Sequence, residues 1–263
     1  MGVRTDMSKR KSSRLALSTE EIRVILRAAD DLIGEGGRTL LTKVLRGSKE
    51  ENLLKLELDR NPSYGFYAGV PYEEVLEKVD WMLDNGYLET QMNGKLPTII
   101  FSRYGWMIER ERYAEELLRE WESWADNGVT PASMEYLKDR NRGTAFLLLY
   151  KVLCTGDPRY IPFLERWASV DYQKVKAEIR KAIEAIEARS GMDDEAWERL
   201  KGESLERLLV PSKRPLVLSC ERCEDLFLMN ERDPGLYGRD GFFFPKQCAR
   251  CAAESKQASG KSN

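Results

Sequence analysis

The chain has 263 residues, of which 42% are hydrophobic and 33% charged, and its formal net charge is −2. That length and composition allow two or three compact units with real cores, and no apolar run reaches the roughly 20 residues that a membrane span requires. Histidine is absent, which excludes Ser-His-Asp and Cys-His nucleophile pairs and any His-ligated catalytic metal.

Residues 1–16 (opening MGVRTDMSKRKSSR) form a basic tail with little to bury and no apolar signal stretch, so a cytoplasmic protein is expected, nucleoid-associated if bacterial, with no membrane partner. Lys9-Arg10-Lys11 reads equally as a grip on phosphates or as a solvated terminus. Ser18 to Glu21 is a capping box that opens a helix with Ile22, Ile25, Leu26, Ala29, Leu32 and Ile33 on one face. Gly34-Glu35-Gly36-Gly37 stops it. A short helix from Arg38 to Arg46 breaks and recaps at Gly47-Ser48 into a third helix carrying Leu53, Leu54 and Leu56. After a loop from Asn61 to Pro71, a fourth helix is expected from Tyr72 to Leu83, with Val75, Val79, Met82 and Leu83 as its stripe and Asn85-Gly86 as its stop. Tyr87–Met92 and Leu96–Phe101 are β-prone and flank Asn93-Gly94, a strong hairpin signal. Helices, a hairpin, then a closing helix from Tyr104 to Asp126 give the order of a winged helix, a unit spanning 17–126.

Asn127-Gly128 and Pro131 mark a boundary, and residues 131–210 read as helical, with breaks at Gly156-Asp157-Pro158, Ser169-Val170-Asp171 and Gly191. The stretch GDPRYIPFLERWASVDYQKVKAEIRKAIEAI resembles a HEAT-type repeat, although any small helical bundle would show such a pair. Tyr160, Leu164, Trp167, Val175, Ile179, Ile183 and Ile186 are expected to form one buried interface between the two helices. Pro211 and Pro215 bracket a linker, and residues 255–263 read as a disordered polar tail.

Four of the five cysteines form two CxxC pairs, Cys220/Cys223 and Cys248/Cys251, within the segment 216–254. Each pair presents two thiolates on a tight turn, and four thiolates suit one tetrahedral, closed and therefore structural zinc. A hairpin's worth of chain lies between the pairs, and a helix start follows CARC, so a zinc ribbon or treble clef is expected. Cys154, among Leu147, Leu148, Leu149 and Leu153, reads as a small core residue.

The segments GRTLLTKVLRGSKEENL, YGFYAGV, VDWMLDNGYLE and LPTIIFSRYG resemble the RecQ C-terminal (RQC) winged helix, most specifically at Val44-Leu45-Arg46-Gly47-Ser48. The resemblance implies that Arg46 and Ser48 hold duplex phosphates and that the hairpin meets a duplex end. Two departures weigh against strand separation: Asn52 stands where many members have Arg, and Met92-Asn93-Gly94-Lys95 occupies a tip that is often aromatic. No helicase motor motif is present in this chain, which suggests a stand-alone RQC-type protein.

Charge supports the resemblance independently. Arg38, Lys43, Arg46 and Lys49 face no acidic residue between positions 38 and 49, whereas the fourth helix carries Glu73, Glu74, Glu77, Asp80 and Asp84 against Lys78 alone. The expectation is therefore an α+β, mostly α, non-enzymatic protein that binds duplex DNA by phosphates and structure. Arg38, Lys43, Arg46, Ser48, Lys49, Asn93, Lys95 and Arg103 are its contacts, zinc its cofactor, and no small molecule its substrate. The competing expectation is a scaffold whose helical middle and zinc end hold a protein partner.

Overall fold

The computed structural model describes residues 16–138, 140–209, 216–233, 236–238, 241–242 and 244–259. The basic run Lys9-Arg10-Lys11, the linker prolines Pro211 and Pro215, Gly235, Phe243 and the last four residues lie outside the described residues. The chain divides into two compact units, Met1–Gly105 and Trp106–Asn263. No described helix is long and apolar enough to cross a membrane.

The first unit opens with α1 (Thr19–Asp30), fixed by the expected capping box: the Glu21 N–H donates to Ser18 Oγ at 3.2 Å and the Ser18 N–H donates to Glu21 Oε2 at 2.9 Å. Ile25, Leu26, Ala28 and Ala29 on α1 are fully buried, and so are Leu41, Val44 and Leu45 of α2 (Arg38–Leu45). The third helix, α3 (Glu51–Lys55), is a single turn. It buries Leu53, while Leu54 and Leu56 stay exposed rather than joining the core, because one turn has only one inward face. A 3-10 turn at Leu58–Arg60 leads to α4 (Tyr72–Asp84), which packs on α2 through the fully buried Val75, Val79 and Met82.

Strands β1 (Leu88–Asn93) and β2 (Leu96–Phe101) form an antiparallel wing in which Asn93 pairs with Leu96 and Leu88 with Phe101. The two-residue loop is therefore Gly94-Lys95, one position later than the Asn93-Gly94 expectation. Gly94 takes φ +62°, while Asn93 stays extended in the ladder, as a turn led by glycine requires. The wing is pinned at its base: the Gly34 N–H donates to the Ile99 carbonyl at 2.9 Å and the Ile99 N–H donates to the Gly36 carbonyl at 2.8 Å.

Helix α5 (Arg103–Asp126) begins with the first unit, but Tyr113, Ala114, Leu117 and Trp121 belong to the core of the second. The division into compact units falls within α5, after Gly105, because the apolar residues of the helix beyond that point are shared with the helices that follow. These are α6 (Glu135–Lys138), α7 (Arg142–Thr155), α8 (Ile161–Val170), α9 (Gln173–Ala188) and α10 (Asp194–Leu208). Gly156 at φ +61° ends α7, Val170 ends α8, and a 3-10 turn at Arg189–Gly191 follows α9. Across the α8–α9 pair, Tyr160, Leu164, Trp167, Val175, Ile179 and Ile186 are buried and Ile183 is partly buried. Helix α7 is buried nearly all round and packs against both α9 and α10, so the pair is part of a larger bundle. Its Lys151 ammonium is buried between Glu111 Oε1 at 2.9 Å and Glu115 Oε2 at 2.8 Å. Burial alone would favour the neutral amine, but the two carboxylates hold its pKa above the ordinary value.

The C-terminal segment adds two short hairpins, β3 (Val217–Ser219) with β4 (Leu226–Leu228) and β5 (Tyr237–Gly238) with β6 (Gly241–Phe242), followed by α11 (Ala249–Ser259). Residues 255–259 continue that helix instead of forming a disordered tail, in keeping with the helix-forming composition of AAESKQA.

In the first unit, Glu21 also accepts from Lys78 Nζ at 2.6 Å and from the Tyr67 hydroxyl at 3.0 Å, tying α1 to α4 and to the loop before it. Burial pulls its pKa upward, but Lys78, Ser18 and Tyr67 hold it down, to about 2. Because the folded pKa is depressed, this contribution to stability is complete above pH about 4.5 and is lost as pH falls toward 2. Glu21→Gln is expected to destabilise the first unit at pH 7 by roughly 2 kcal/mol. The gap between parent and variant in urea unfolding should close as pH falls through that window. An unchanged gap at pH 3 would mean that the network does not act through the charge.

Candidate metal centre and nucleic-acid interface

The four cysteines expected to bind metal meet in space. Cys220 and Cys223 sit in the turn between β3 and β4, Cys248 immediately precedes α11, and Cys251 lies in its first turn. Their sulfurs lie within 4.8 Å of one another. Cys223 Sγ and Cys248 Sγ are 3.8 Å apart, and the edge of a sulfur tetrahedron with metal–sulfur bonds of about 2.3 Å is about 3.8 Å. The donor set and its spacing therefore fit one four-coordinate metal ion.

The surroundings shift the thiols in opposite directions. The Cys248 N–H donates to Cys220 Sγ at 3.3 Å, and that hydrogen bond, above all, brings the Cys220 thiol down to about 6. Burial pushes Cys251 up to about 12. Four sulfurs this close cannot all carry charge without a cation among them. Arg250 lies beside the Cys223 and Cys251 sulfurs, with its guanidinium also 3.0 Å from Asp225, and Arg222 donates to the Cys251 carbonyl. Cys154 is not one of the clustered four: it is half-buried, packed against the helical core, and its thiol is pushed up by burial. The first knuckle closes where Glu224 donates its N–H to the Cys220 carbonyl at 2.9 Å, and to do so Glu224 takes φ +60°, a conformation that favours glycine.

In the first unit, the junction between α2 and α3 is held by backbone. The Gly65 N–H donates to the Val44 carbonyl at 3.0 Å, and the Tyr67 N–H donates to the Leu45 carbonyl at 2.8 Å. Gly47 combines φ +71° with a close approach, since a Cβ there would lie 3.1 Å from Gly65 Cα. The next residue is held as well, with the Tyr64 hydroxyl donating to the Ser48 carbonyl at 3.0 Å. Arg46 Nε donates to the Val70 carbonyl at 2.9 Å, and no carboxylate pairs with this guanidinium among the described residues.

The structure sorts the remaining expected contacts into distinct groups. Lys49 and Lys95 are exposed and carry no ion pair among the described residues. Arg38 grips both oxygens of Asp80 on α4, at 2.7 and 2.9 Å, and Lys43 pairs with Glu50 at 2.7 Å. Asn93 donates from Nδ2 to the Gly34 carbonyl at 3.1 Å and so braces the wing. Arg103 is half-buried at the start of α5, with its Nε inside. Neither Asp80 nor the Val70 carbonyl could be found from sequence, since each lies far along the chain from the cation it holds.

Residues 18–123 match the family model of the RQC domain, and this region is an RQC-type winged helix. The RQC domain is a nucleic-acid-binding domain of RecQ helicases. No curated protein and no solved structure matches the chain.

Two backbone positions make direct tests. Glu224→Gly relieves a left-handed residue at the knuckle, worth about 1 kcal/mol, and is expected to slow metal loss to a chelator severalfold; faster loss would show that the Glu224 side chain supports the site. Gly47→Ala should cost about 2 kcal/mol or more in urea unfolding of the first unit, because it combines backbone strain with a steric clash. A neutral result would mean that the junction relaxes freely.

Proposed function

We propose that this protein binds duplex DNA through phosphates and DNA structure (ends, forks or junctions) and not through sequence. On this reading it is a non-enzymatic, cytoplasmic accessory factor in DNA repair, recombination or mobile-element conflict. The observation that carries the proposal is Arg46, a cation anchored through Nε to the Val70 carbonyl, free of any carboxylate partner among the described residues, and set beside Ser48 and Lys49 at the RQC junction. An anchored guanidinium loses little freedom on meeting a phosphate, and its remaining N–H groups suit a bidentate contact.

The other contacts take graded roles. Lys49 adds a second charge that has no ion pair among the described residues. Lys95 sits at the wing tip beside Met92 and Leu96, which are 61% and 70% exposed, so a duplex end or fork would meet both charge and apolar surface there. Arg38 and Lys43 reach phosphates only by exchanging Asp80 and Glu50, and Asn93 acts by bracing the wing. The exposed carboxylates Glu73, Glu74 and Glu77 on α4 repel a phosphate backbone, which argues against that helix entering the major groove.

Zinc is the ion we assign to the four cysteines, with a structural role, since four thiolates leave no open position. A knuckle within a hairpin, a second hairpin, and a helix bearing the last ligand support a treble-clef reading. A second reading, a protein scaffold, is favoured by one observation: Val217, Leu226 and Leu228 lie on one face of the β3–β4 ribbon and are 51%, 73% and 64% exposed.

Fluorescence anisotropy with blunt duplex, forked duplex and single strand, at two salt concentrations, tests the DNA reading. Arg46→Ala and Lys49→Ala should each weaken duplex binding regardless of sequence and lower the salt dependence by about one ion. Ser48→Ala should cost less, Lys95→Ala should matter for ends and forks, and Glu74→Ala should leave affinity unchanged or improved. Loss of binding on Glu74→Ala with no effect of Arg46→Ala would overturn the docking mode. Metal analysis should find about one zinc per chain, and removing it should melt residues 216–259 while the winged helix stays folded.

A further inference from the structure

The helical unit carries a second cationic surface that the winged helix does not use. Tyr172 lies in the two-residue turn between α8 and α9 and is 55% exposed. Lys138 Nζ stands 5.3 Å from its ring centroid and the Arg142 guanidinium 5.8 Å. Arg140, between them in sequence, lies 4.9 Å from the Tyr113 ring. All three cations are exposed, and none has a carboxylate partner among the described residues. Elsewhere in the same unit Arg112, Lys151, Arg189 and Arg207 are each held by carboxylates.

Cations outnumber carboxylates around Tyr172, even counting Glu135 in the first turn of α6 and Asp139 in the sequence between Lys138 and Arg140. The first turns of α7 and α9 contain no acidic residue, and Lys174 and Lys176 follow Tyr172. Asp171, the adjacent carboxylate, is buried and committed inward: it accepts from Trp167 Nε1 at 2.7 Å and from the Tyr172 N–H at 2.6 Å. Contacts between exposed cations and an exposed ring add little to folding, so stability alone gives weak reason to gather these groups. What they complement is a ligand with separated anionic groups and a flat aromatic face. A phosphodiester chain with unstacked bases has both, whereas the faces of a duplex's internal bases are covered by their neighbours.

We propose that Tyr172, Lys138, Arg140 and Arg142 form a contact for single-stranded nucleic acid, with a base stacked on Tyr172 and neighbouring phosphates on the three cations. This goes beyond duplex binding by the winged helix and does not depend on it.

The test uses the full chain with dT20, rU20 and a blunt duplex in anisotropy titrations; comparing the first two separates DNA from RNA as the source. For the preferred single strand, Tyr172→Ala is expected to weaken binding about tenfold while Tyr172→Phe retains it. The double variant Lys138→Ala/Arg142→Ala should weaken binding and lower the log–log salt slope by about 1.4. Both should leave duplex affinity within about twofold, whereas Arg46→Ala should affect the duplex. If Tyr172→Ala lowers the melting temperature, Arg142→Glu, at an exposed helix start, replaces it and should weaken single-strand binding without unfolding. The proposal is overturned if neither single strand binds, if these variants bind as the parent does, or if Arg46→Ala removes single-strand binding as completely as duplex binding. Failure here with Arg46-dependent duplex binding intact would leave the winged-helix reading standing.

Discussion

At the α2–α3 junction, two stretches of backbone approach too closely for a side chain to intervene. Gly47 lies against Gly65, and the Val44 carbonyl, which already accepts from the Gly47 N–H, and the Leu45 carbonyl at the end of α2 accept from the N–H groups of Gly65 and Tyr67. The contact fixes where the chain leaves α2, and therefore where Arg46 and Ser48 stand. It also sets the loop that runs to Val70, whose carbonyl orients the Arg46 guanidinium. A glycine that looks like a helix break in sequence thus positions the most informative cation in the unit.

Pairing, more than composition, decides what the charged surface can do. The net charge is nearly zero, and many cations are committed within the fold: Arg38 to Asp80, Lys43 to Glu50, Lys78 to Glu21. Arg38–Asp80 and Lys43–Glu50, the more exposed pairs, contribute little to stability and exchange partners readily, whereas Lys78–Glu21 is largely shielded from solvent; all three lower the charge offered to a polyanion. Lys49, Lys95 and the anchored Arg46 keep theirs. The same division recurs in the helical unit, where Lys151 is buried between two glutamates while Lys138, Arg140 and Arg142 face solvent around Tyr172.

The second unit joins two different solutions to the problem of building a core. Its helical part is held by aromatic packing: Trp121, fully buried, meets Phe163 at 5.7 Å and Trp167 at 6.0 Å. The C-terminal segment has short strands and leaves Val217, Leu226 and Leu228 exposed, too little burial to order so much chain unaided. The four clustered cysteines fit one metal ion, and on the zinc reading proposed above, ligation takes the place of a hydrophobic core and couples the fold of that segment to the ion.

Much of this was legible from sequence because it is encoded locally. The Ser18–Glu21 box, the wing hairpin (though its turn falls one position later than expected), the breaks at Gly156 and Asp171 and the two CxxC pairs depend on residues a few positions apart, whose chemistry acts within one turn. The RQC motif belongs to the same class, since its junction is a continuous run, and the α8–α9 interface followed from helical periodicity. Tertiary structure alone decided which cations are neutralised. Arg38 and Asp80 are 42 residues apart and Arg46 and Val70 are 24, and no local pattern relates them. It also decided that Tyr113, Leu117 and Trp121 of α5 join the core of the helices that follow, because the apolar residues of a long helix do not announce which neighbours will cover them. The gathering of Lys138 and Arg142 around Tyr172 joins α6, α7 and the α8–α9 turn. Sequence periodicity specifies which face of each element is apolar, while the meeting of distant side chains depends on how those faces pack.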